Sequence, residues 1–553
     1  MTAGIDDLPA ELLLPIFEYA SLDDRSPDHP SAVDEFGWAT ATRRDPSTST
    51  SISQVCSRWR HMSLSQHVLW SHLPRSRQSL TDLYCSRCTS SALDIEIRPE
   101  HFYGAMTQER VQSIFNLIPR ASSLFVSCKN GLGSEGDSSA LVASPKYPSI
   151  RYFLRNWEIL SAPLHLEDLR MDLQWEAGVT NIFVELPRKV FHGQPLEKMR
   201  SVRFNYVLMR SPRTFIWPAL RFAEFTNSQA WDSAASFVAF FSGVPLLEDF
   251  KFTRNYGGTG GGLPALDTTG INGLPPLRSV PMPKLKSFQL HGPYYDIFFT
   301  LALLEIPCFA LVSLTLTGRW LAEYAKEKLQ IMHDALTVHF ARAEKADVHF
   351  DSVIFDGRTM VAAHYPRPEN ISMAILPPSF TLSIIPDAEL QPDKTCRNFN
   401  MLCTHPVFTD TFNLTILWPP ENVDEANRTP LYDRKLHGGE IRRAFDLYTR
   451  FNTLTLRGYL LCLLFCHSHL HSMALSNFTT LRLVGVGLSS DFEDQESCIM
   501  IHVLLRGLKH ISDRVKRLEL ERCTIGVADI LALQEGLGEG VLSLIGSGPD
   551  GQH

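Results

Sequence analysis

The chain has 553 residues, of which 44% are hydrophobic and 20% charged, and a formal net charge of -8 at pH 7. That length exceeds what one hydrophobic core serves, so two or more domains or an elongated repeat structure are expected, and the composition excludes a disordered chain. The acidic balance, with no basic stripe, argues against a nucleic-acid partner.

The first patterned segment runs from Leu8 to Ala20. Leu8, Leu12, Leu13, Ile16, Phe17 and Ala20 recur at helical spacing and predict one apolar stripe. Asp6 and Asp7 stand where a cap and a first-turn acid favour the helix dipole, and Pro9 suits the first turn. Pro15 is discordant, because an interior proline removes a backbone donor; a kink or a short first helix is expected. Residues 25–50 mix prolines, serines, threonines and charges without a period and predict a flexible insertion. Ile52, Val55, Cys56 and Trp59 reopen a helical stripe, and His67-Val68-Leu69-Trp70 closes the segment. Acids rather than bases surround the first apolar residues, so no secretory signal is expected. The longest apolar run, Tyr459 to Cys466, falls short of the ~20 residues that span a bilayer. A cytoplasmic or nuclear protein without a membrane partner is expected.

Three pieces in this order resemble an F-box: Leu8-Pro9-x-Glu11-Leu12-Leu13-x-x-Ile16-Phe17, then Val55-Cys56-x-x-Trp59, then Leu69-Trp70. The resemblance covers residues 1–75 and implies a helical module that docks on the Skp-type adaptor of a cullin-RING ubiquitin ligase. The contact residues it implies are Leu8, Pro9, Leu12, Leu13, Ile16, Phe17, Val55, Cys56, Trp59, Leu69 and Trp70. The plainer alternative makes Trp59 and Trp70 nothing more than the core of a small helical cap.

From about Ser90 a second phrase returns irregularly: a leucine or similar residue, two polar positions, then alternating apolar residues. It stands at Leu166–Leu173, Leu196–Phe204, Leu247–Phe252, Leu285–Leu290, Leu311–Leu316, Phe451–Leu456, Phe478–Leu483 and Val515–Leu520. Each resembles the strand segment of a leucine-rich repeat. Period-two alternation buries one side of such a strand, and stacking the strands in parallel gives a curved solenoid. The expected class is therefore α/β: an N-terminal helical module, an irregular solenoid with a parallel sheet over 90–540, and a flexible tail over 541–553. The separations of roughly 20 to 40 residues exceed the ~20–29 of regular repeats, so helices are expected in some gaps, at 324–345 and 441–448. The order of module, insertion and degenerate repeats is similar to that of F-box proteins of mushroom-forming fungi.

Candidate chemistry is sparse. Gly131-Leu-Gly133-Ser-Glu-Gly136 has dinucleotide-fingerprint spacing, but Pro145 and Pro148 leave little room for the helix that must meet the pyrophosphate, so a loop is expected. Gly257–Gly262 lacks the Lys-Ser/Thr of a phosphate loop. Cys85 and Cys88 offer half a zinc site without a second pair. Cys462, Cys466, His467, His469 and His471 form the densest ligand-type cluster, but its cysteines sit in an apolar run that buried thiols explain better. The eleven cysteines do not read as a disulfide framework. No catalytic residue, cofactor or metal is expected. The resemblance implies a substrate adaptor that positions an unnamed target protein. The alternatives are a repeat scaffold without ligase activity and an enzyme whose site carries no recognised motif.

Overall fold

The computed structural model describes Ile5 and residues 8–23, 48–74, 78–89, 92–97, 108–127, 157, 162–173, 184–186, 190–209, 217–228, 230–231, 234–254, 280–307, 310–317, 326–345, 350–355, 359–363, 380–384, 403–417, 447–448, 452–457, 478–489, 498–509, 515–538 and 540–545. The chain divides into two compact units, Met1–Phe250 with Gly258–Asp267, and Lys251–Gly257 with Thr268–His553. Both combine helices with a largely parallel sheet. Among the described residues no helix is long and apolar enough to cross a membrane.

The first unit opens with helices α1 (Ala10–Asp23), α2 (Thr48–Val55), α3 (Ser57–Ser65), a 3-10 turn at His67–Trp70 and α4 (Gln78–Arg87). Pro9 stands just before α1, and its carbonyl accepts from the amides of Leu12 and Leu13. Pro15 does not shorten this helix, which runs 14 residues across it. A proline so near the N-terminus forfeits one intrahelical bond, while Leu13 and Phe17 on either side are fully buried and hold the helix down. α2 starts at Thr48, inside the stretch expected to be a flexible insertion. Its linker-like hydroxyls are fastened: buried Ser49 donates to the Leu69 carbonyl, and the Thr50 hydroxyl lies 3.2 Å from that of Tyr84. The rest of that insertion, up to residue 47, lies outside the described residues.

Strands β1 (Leu93–Ile97), β2 (Ala121–Ser127), β3 (Asp168–Asp172), β4 (Ser201–Asn205) and β5 (Phe222–Thr226) pair in parallel in chain order. Their alternation stacks two buried ladders, Leu124–Leu169–Val202–Ala223 and Val126–Met171–Phe204–Phe225. The expected border between residues 75 and 90 is not a seam. The Ser71 carbonyl accepts from Asp94 at 2.9 Å and the Leu73 amide donates back at 3.3 Å, so the helical cluster covers the outer edge of β1. At the far side of this unit, helix α5 (Ala234–Ser242) packs its phenylalanines round Trp231: Phe237, Phe240 and Phe241 lie 5.0, 5.5 and 5.8 Å from its ring.

Strand β6 (Asp249–Thr253) spans the division between the units. In the second unit β7 (Ser287–Pro293) and β8 (Leu311–Thr317) continue in parallel. There the order inverts. Strands β9 (Ser352–Phe355), β10 (Thr359–Ala363) and β11 (Phe380–Ile384) lie as β8-β11-β10-β9, and β10 is antiparallel to both neighbours. Only residues 356–358 join β9 to β10, and so short a link closes a hairpin but cannot make a parallel crossover. The all-parallel expectation is corrected at this point. Strands β12 (Asn413–Leu417), β13 (Thr453–Arg457), β14 (Thr480–Val484), β15 (Arg517–Glu521) and β16 (Leu542–Ile545) then resume parallel order. Helix α6 (Lys326–Lys345) fills the first expected gap, whereas 441–446 lie outside the described residues. β16 lies within the stretch expected to be a tail; its two leucines prolong the ladders of Leu518 and Leu520.

Every phrase singled out in the sequence contains a strand. Leu169, Phe250, Leu314, Leu481 and Leu518 are buried, while Asp168, Asp249, Ser313 and Thr480 are half-buried and Arg517 exposed. Two further features repeat. A tight turn precedes the strand, with the amides of Met199, Leu220, Leu247 and Leu285 donating three residues back to Leu196, Trp217, Val244 and Met282. A left-handed residue follows several strands: Tyr206 (φ 58), Asn227 (φ 44), Gly485 (φ 63) and Arg522 (φ 50). That corner sends the chain into a short second strand, as at Val207–Leu208 and Thr524–Ile525.

Candidate functional site

The N-terminal helices carry the sequence-predicted residues, and the structure sorts them into two sets. Leu13, Phe17, Leu69 and Trp70 are buried. Leu12 and Ile16 are exposed, at 54% and 44%, as are Pro9 and Val55; Leu8, Cys56 and Trp59 are half-buried. The buried set forms the floor of the cluster. The Phe17 ring lies 4.8 Å from Trp59, and the Trp70 ring meets Tyr84 edge-on at 4.9 Å. The Trp70 indole N–H donates to the Ser63 carbonyl at 2.8 Å, and the Arg87 guanidinium lies 4.1 Å over its ring. Burial beneath that contact pulls the Arg87 pKa below its usual value. Leu69 and Trp70 are thus interior residues of the cluster.

The exposed set has a different geometry. Leu12, Ile16 and Tyr19 stand at i, i+4 and i+7 on α1, so one stripe of the helix is apolar toward solvent while the Leu13–Phe17 stripe faces inward. Tyr19, exposed at 75%, was not among the predicted contacts. Its spacing from Leu12 was readable, but a single apolar arc gave no sign that the helix has two. The Arg58 guanidinium donates to the Leu8 carbonyl at 2.6 Å, so the start of α3 lies against the start of α1. This brings the Val55 end of α2 to the same end of the cluster. The Cys56 thiol accepts from the Trp59 amide at 3.4 Å and caps α3, which gives that cysteine a local structural role. Arg60 donates to the Ser53 carbonyl at 2.9 Å. The surface is apolar with charge at its margin, a composition suited to docking rather than to bond chemistry.

Burial raises the Cys85 thiol pKa, against a smaller opposing pull from Arg120, which leaves it a weak nucleophile or ligand. His405, in the second unit, is held to a pKa of about 4 by burial, with His333 adding to the shift. It is neutral at pH 7: Nδ1 accepts from the Val407 amide at 3.2 Å and Nε2 lies 3.0 Å from the Thr337 hydroxyl. Among the described residues no group of three or more His, Cys, Asp or Glu could hold a metal ion. The glycine stretches at 131–136 and 257–262 and the Cys462–His471 cluster lie outside the described residues. No family model and no curated protein matches the chain.

Proposed function

We propose that the chain is the substrate-recognition adaptor of a Skp/cullin/F-box ubiquitin ligase. Its N-terminal helices dock on the Skp-type adaptor, and its repeats form a solenoid that holds a target protein. One observation carries the reading. α1 buries one apolar stripe and presents a second, Leu12–Ile16–Tyr19, to solvent. A helix that served only as a local cap would place polar residues there. The spaced match to the F-box pattern supports the same assignment. Parallel strands with leucine in register, as from β13 through β14 to β15, support the solenoid. Such a protein accelerates ubiquitin transfer by holding the target near the charged enzyme, raising effective concentration without entering the bond-making step.

The test is co-purification of the full chain with the Skp-type adaptor, beside Leu12→Asp and Ile16→Asp. Both side chains are exposed, so folding should survive by circular dichroism while adaptor binding falls at least tenfold, or ~1.4 kcal/mol. Truncation at Ser90 is a poorer test, because it strips Ser71–Leu73 from the edge of β1. If the wild-type chain does not capture the adaptor, the reading fails and a ligase-free scaffold takes its place.

A further inference from the structure

Among the described strands of the second unit, charge on the sheet face opposite the leucine ladders gathers on β13 to β15. Strands β8 to β12 carry no acid or base, and their half-buried alternate positions include the hydroxyls of Ser313, Thr315, Thr381, Ser383 and Thr415. On β13, β14 and β15 the same face presents Arg457, Arg482, Arg517, Glu519 and Glu521, with Arg522 at the corner that follows. In register, Arg482 lies between Thr455 and Glu519, Arg517 is two strands from Thr453, and Arg457 is two strands from Glu521. The three arginines therefore fall on a diagonal, each one strand along and two residues back from the last. With ~4.8 Å between strands and ~3.3 Å per residue, neighbours on it start about 8 Å apart. The sheet thus assembles a basic stripe from residues far apart in the chain.

In this cluster the acids are sunk and the bases raised. Glu519 and Glu521 expose 12% and 21% of their side chains, Arg482 and Arg517 35% and 55%. Arg482 Nε donates to Glu521 at 2.8 Å and lies 3.9 Å from Glu519, while Arg517 Nε lies 3.0 Å from Glu519. The carboxylates hold the guanidiniums in place while showing little of themselves to solvent. A guanidinium has five N–H donors in a rigid fork, so each arginine keeps donors beyond those its glutamate takes. Arg457 is exposed and has no ion pair among the described residues. Arg522 is exposed too and lies 4.0 Å from Glu521. Bases outnumber acids by four to two here, on a chain whose net charge is -8.

We infer that this face takes an extended acidic segment of the target protein, with Asp or Glu at alternate positions laid along the Arg457–Arg482–Arg517 diagonal. The inference rests on the reading of the repeats as the part that holds the target. Three features support that chemistry. The surplus charge is positive, and guanidinium forks pair with carboxylates through two parallel hydrogen bonds. Same-side residues of an extended segment recur every ~7 Å, close to the ~8 Å pitch of the diagonal. Half-buried Thr453, Thr455 and Thr480 stand beside the arginines and offer hydroxyls to the segment's backbone. A nucleic acid fits worse. Its continuous phosphates would run against Glu519 and Glu521, and so small a surplus gives little counterion release.

Fluorescence anisotropy of a labelled peptide of alternating Glu and Thr tests it, with the full chain titrated to about 200 μM. Saturable binding is expected, weakening as salt rises from about 0.05 to 0.3 M, and the same peptide with Gln for Glu should stay unbound. Arg457→Gln with Arg517→Gln should weaken binding by roughly tenfold. Both side chains are exposed, so circular dichroism should not change. Glu519→Gln removes a competing carboxylate and should tighten binding, a direction that a purely structural network does not produce. Arg200→Gln, an exposed arginine of the first unit, should change nothing. A wild-type chain that leaves the Glu peptide unbound overturns the inference, as does one that binds the Gln peptide equally. So does binding that survives the double arginine variant, that Arg200→Gln weakens as much, or that Glu519→Gln weakens as the arginine variants do. An oligonucleotide that displaces the labelled peptide more readily than unlabelled peptide does overturns it in favour of a nucleic acid. Capture of the Skp-type adaptor by the same preparation, with peptide binding absent, would overturn this site alone and leave the adaptor surface of α1 standing.

Discussion

Replacing Trp70 separates what holds the N-terminal cluster together from what it offers to a partner. In Trp70→Ala the side chain lost is fully buried, and such truncations cost ~3–5 kcal/mol. Within that sum lies the indole bond to the Ser63 carbonyl, worth ~1 kcal/mol net. The carbonyl is not left orphaned, since it also accepts from the Gln66 amide at 3.3 Å. The edge-on contact with Tyr84 adds ~0.5–1.5 kcal/mol, and the Arg87 contact about as much. Native-state hydrogen exchange suits this measurement, because a chain with two compact units does not unfold in one step. Protection of α2, α3 and α4 should fall by about two to four orders of magnitude, as ~3–5 kcal/mol implies. Ile16→Asp should leave the same protection within about threefold, since surface changes stay near 0.5 kcal/mol. The reasoning is refuted if Trp70→Ala leaves protection intact yet abolishes capture of the adaptor. Trp70 would then be a contact residue despite its burial.

Two further outcomes follow from the second unit. Burial holds Asp296 at a pKa of about 7, against a smaller opposing pull from Arg254 at 3.9 Å. The folded state therefore binds the extra proton, and this residue's contribution is full below pH ~4 and lost as pH rises to 7. Asp296→Asn should remove that loss, no more than about 3 kcal/mol between pH 5 and pH 8, in melting compared at those two values; an unchanged difference between them would contradict the assignment. Leu481→Ala should cost ~2–5 kcal/mol, because the residue is fully buried in the ladder, whereas its neighbour Thr480→Ala should cost well under ~1 kcal/mol; equal costs would contradict the inward–outward alternation.

The strands were legible because the cause that forms them is local. Alternation in Leu481-Arg-Leu483 or Leu518-Glu-Leu520 sets which side is buried regardless of what lies farther along the chain. The reversal at β10 was hidden because it depends on the length of one connection, and Thr359–Ala363 alternates like any other strand. The tight turn before each strand did leave a trace. Trp217-Pro-Ala-Leu220, Val244-Pro-Leu-Leu247 and Met282-Pro-Lys-Leu285 set proline where its fixed φ favours the turn. At the candidate surface the sequence did not separate exposed from buried side chains, since Leu12 and Ile16, which are exposed, and Leu13 and Phe17, which are buried, are equally apolar.

That ambiguity has a physical source. A helical cluster this small has little interior, so residues that stabilise it and residues that recognise a partner must come from the same few apolar positions. On α1 the exposed and the buried apolar residues fall on adjacent numbers: Leu12 and Ile16 outward, Leu13 and Phe17 inward. A rotation of the helix by about 100°, one residue's worth, would exchange them. What fixes the rotation is contact with elements distant in sequence, chiefly the Phe17 ring against Trp59 and the Arg58 bond to the Leu8 carbonyl. Trp59→Ala should therefore harm adaptor docking as well as stability, by releasing the rotation that presents Leu12 and Ile16. Pull-down and hydrogen exchange on the same protein would register both losses together. Loss of protection in α1 with full retention of binding would show that the adaptor itself sets the helix rotation.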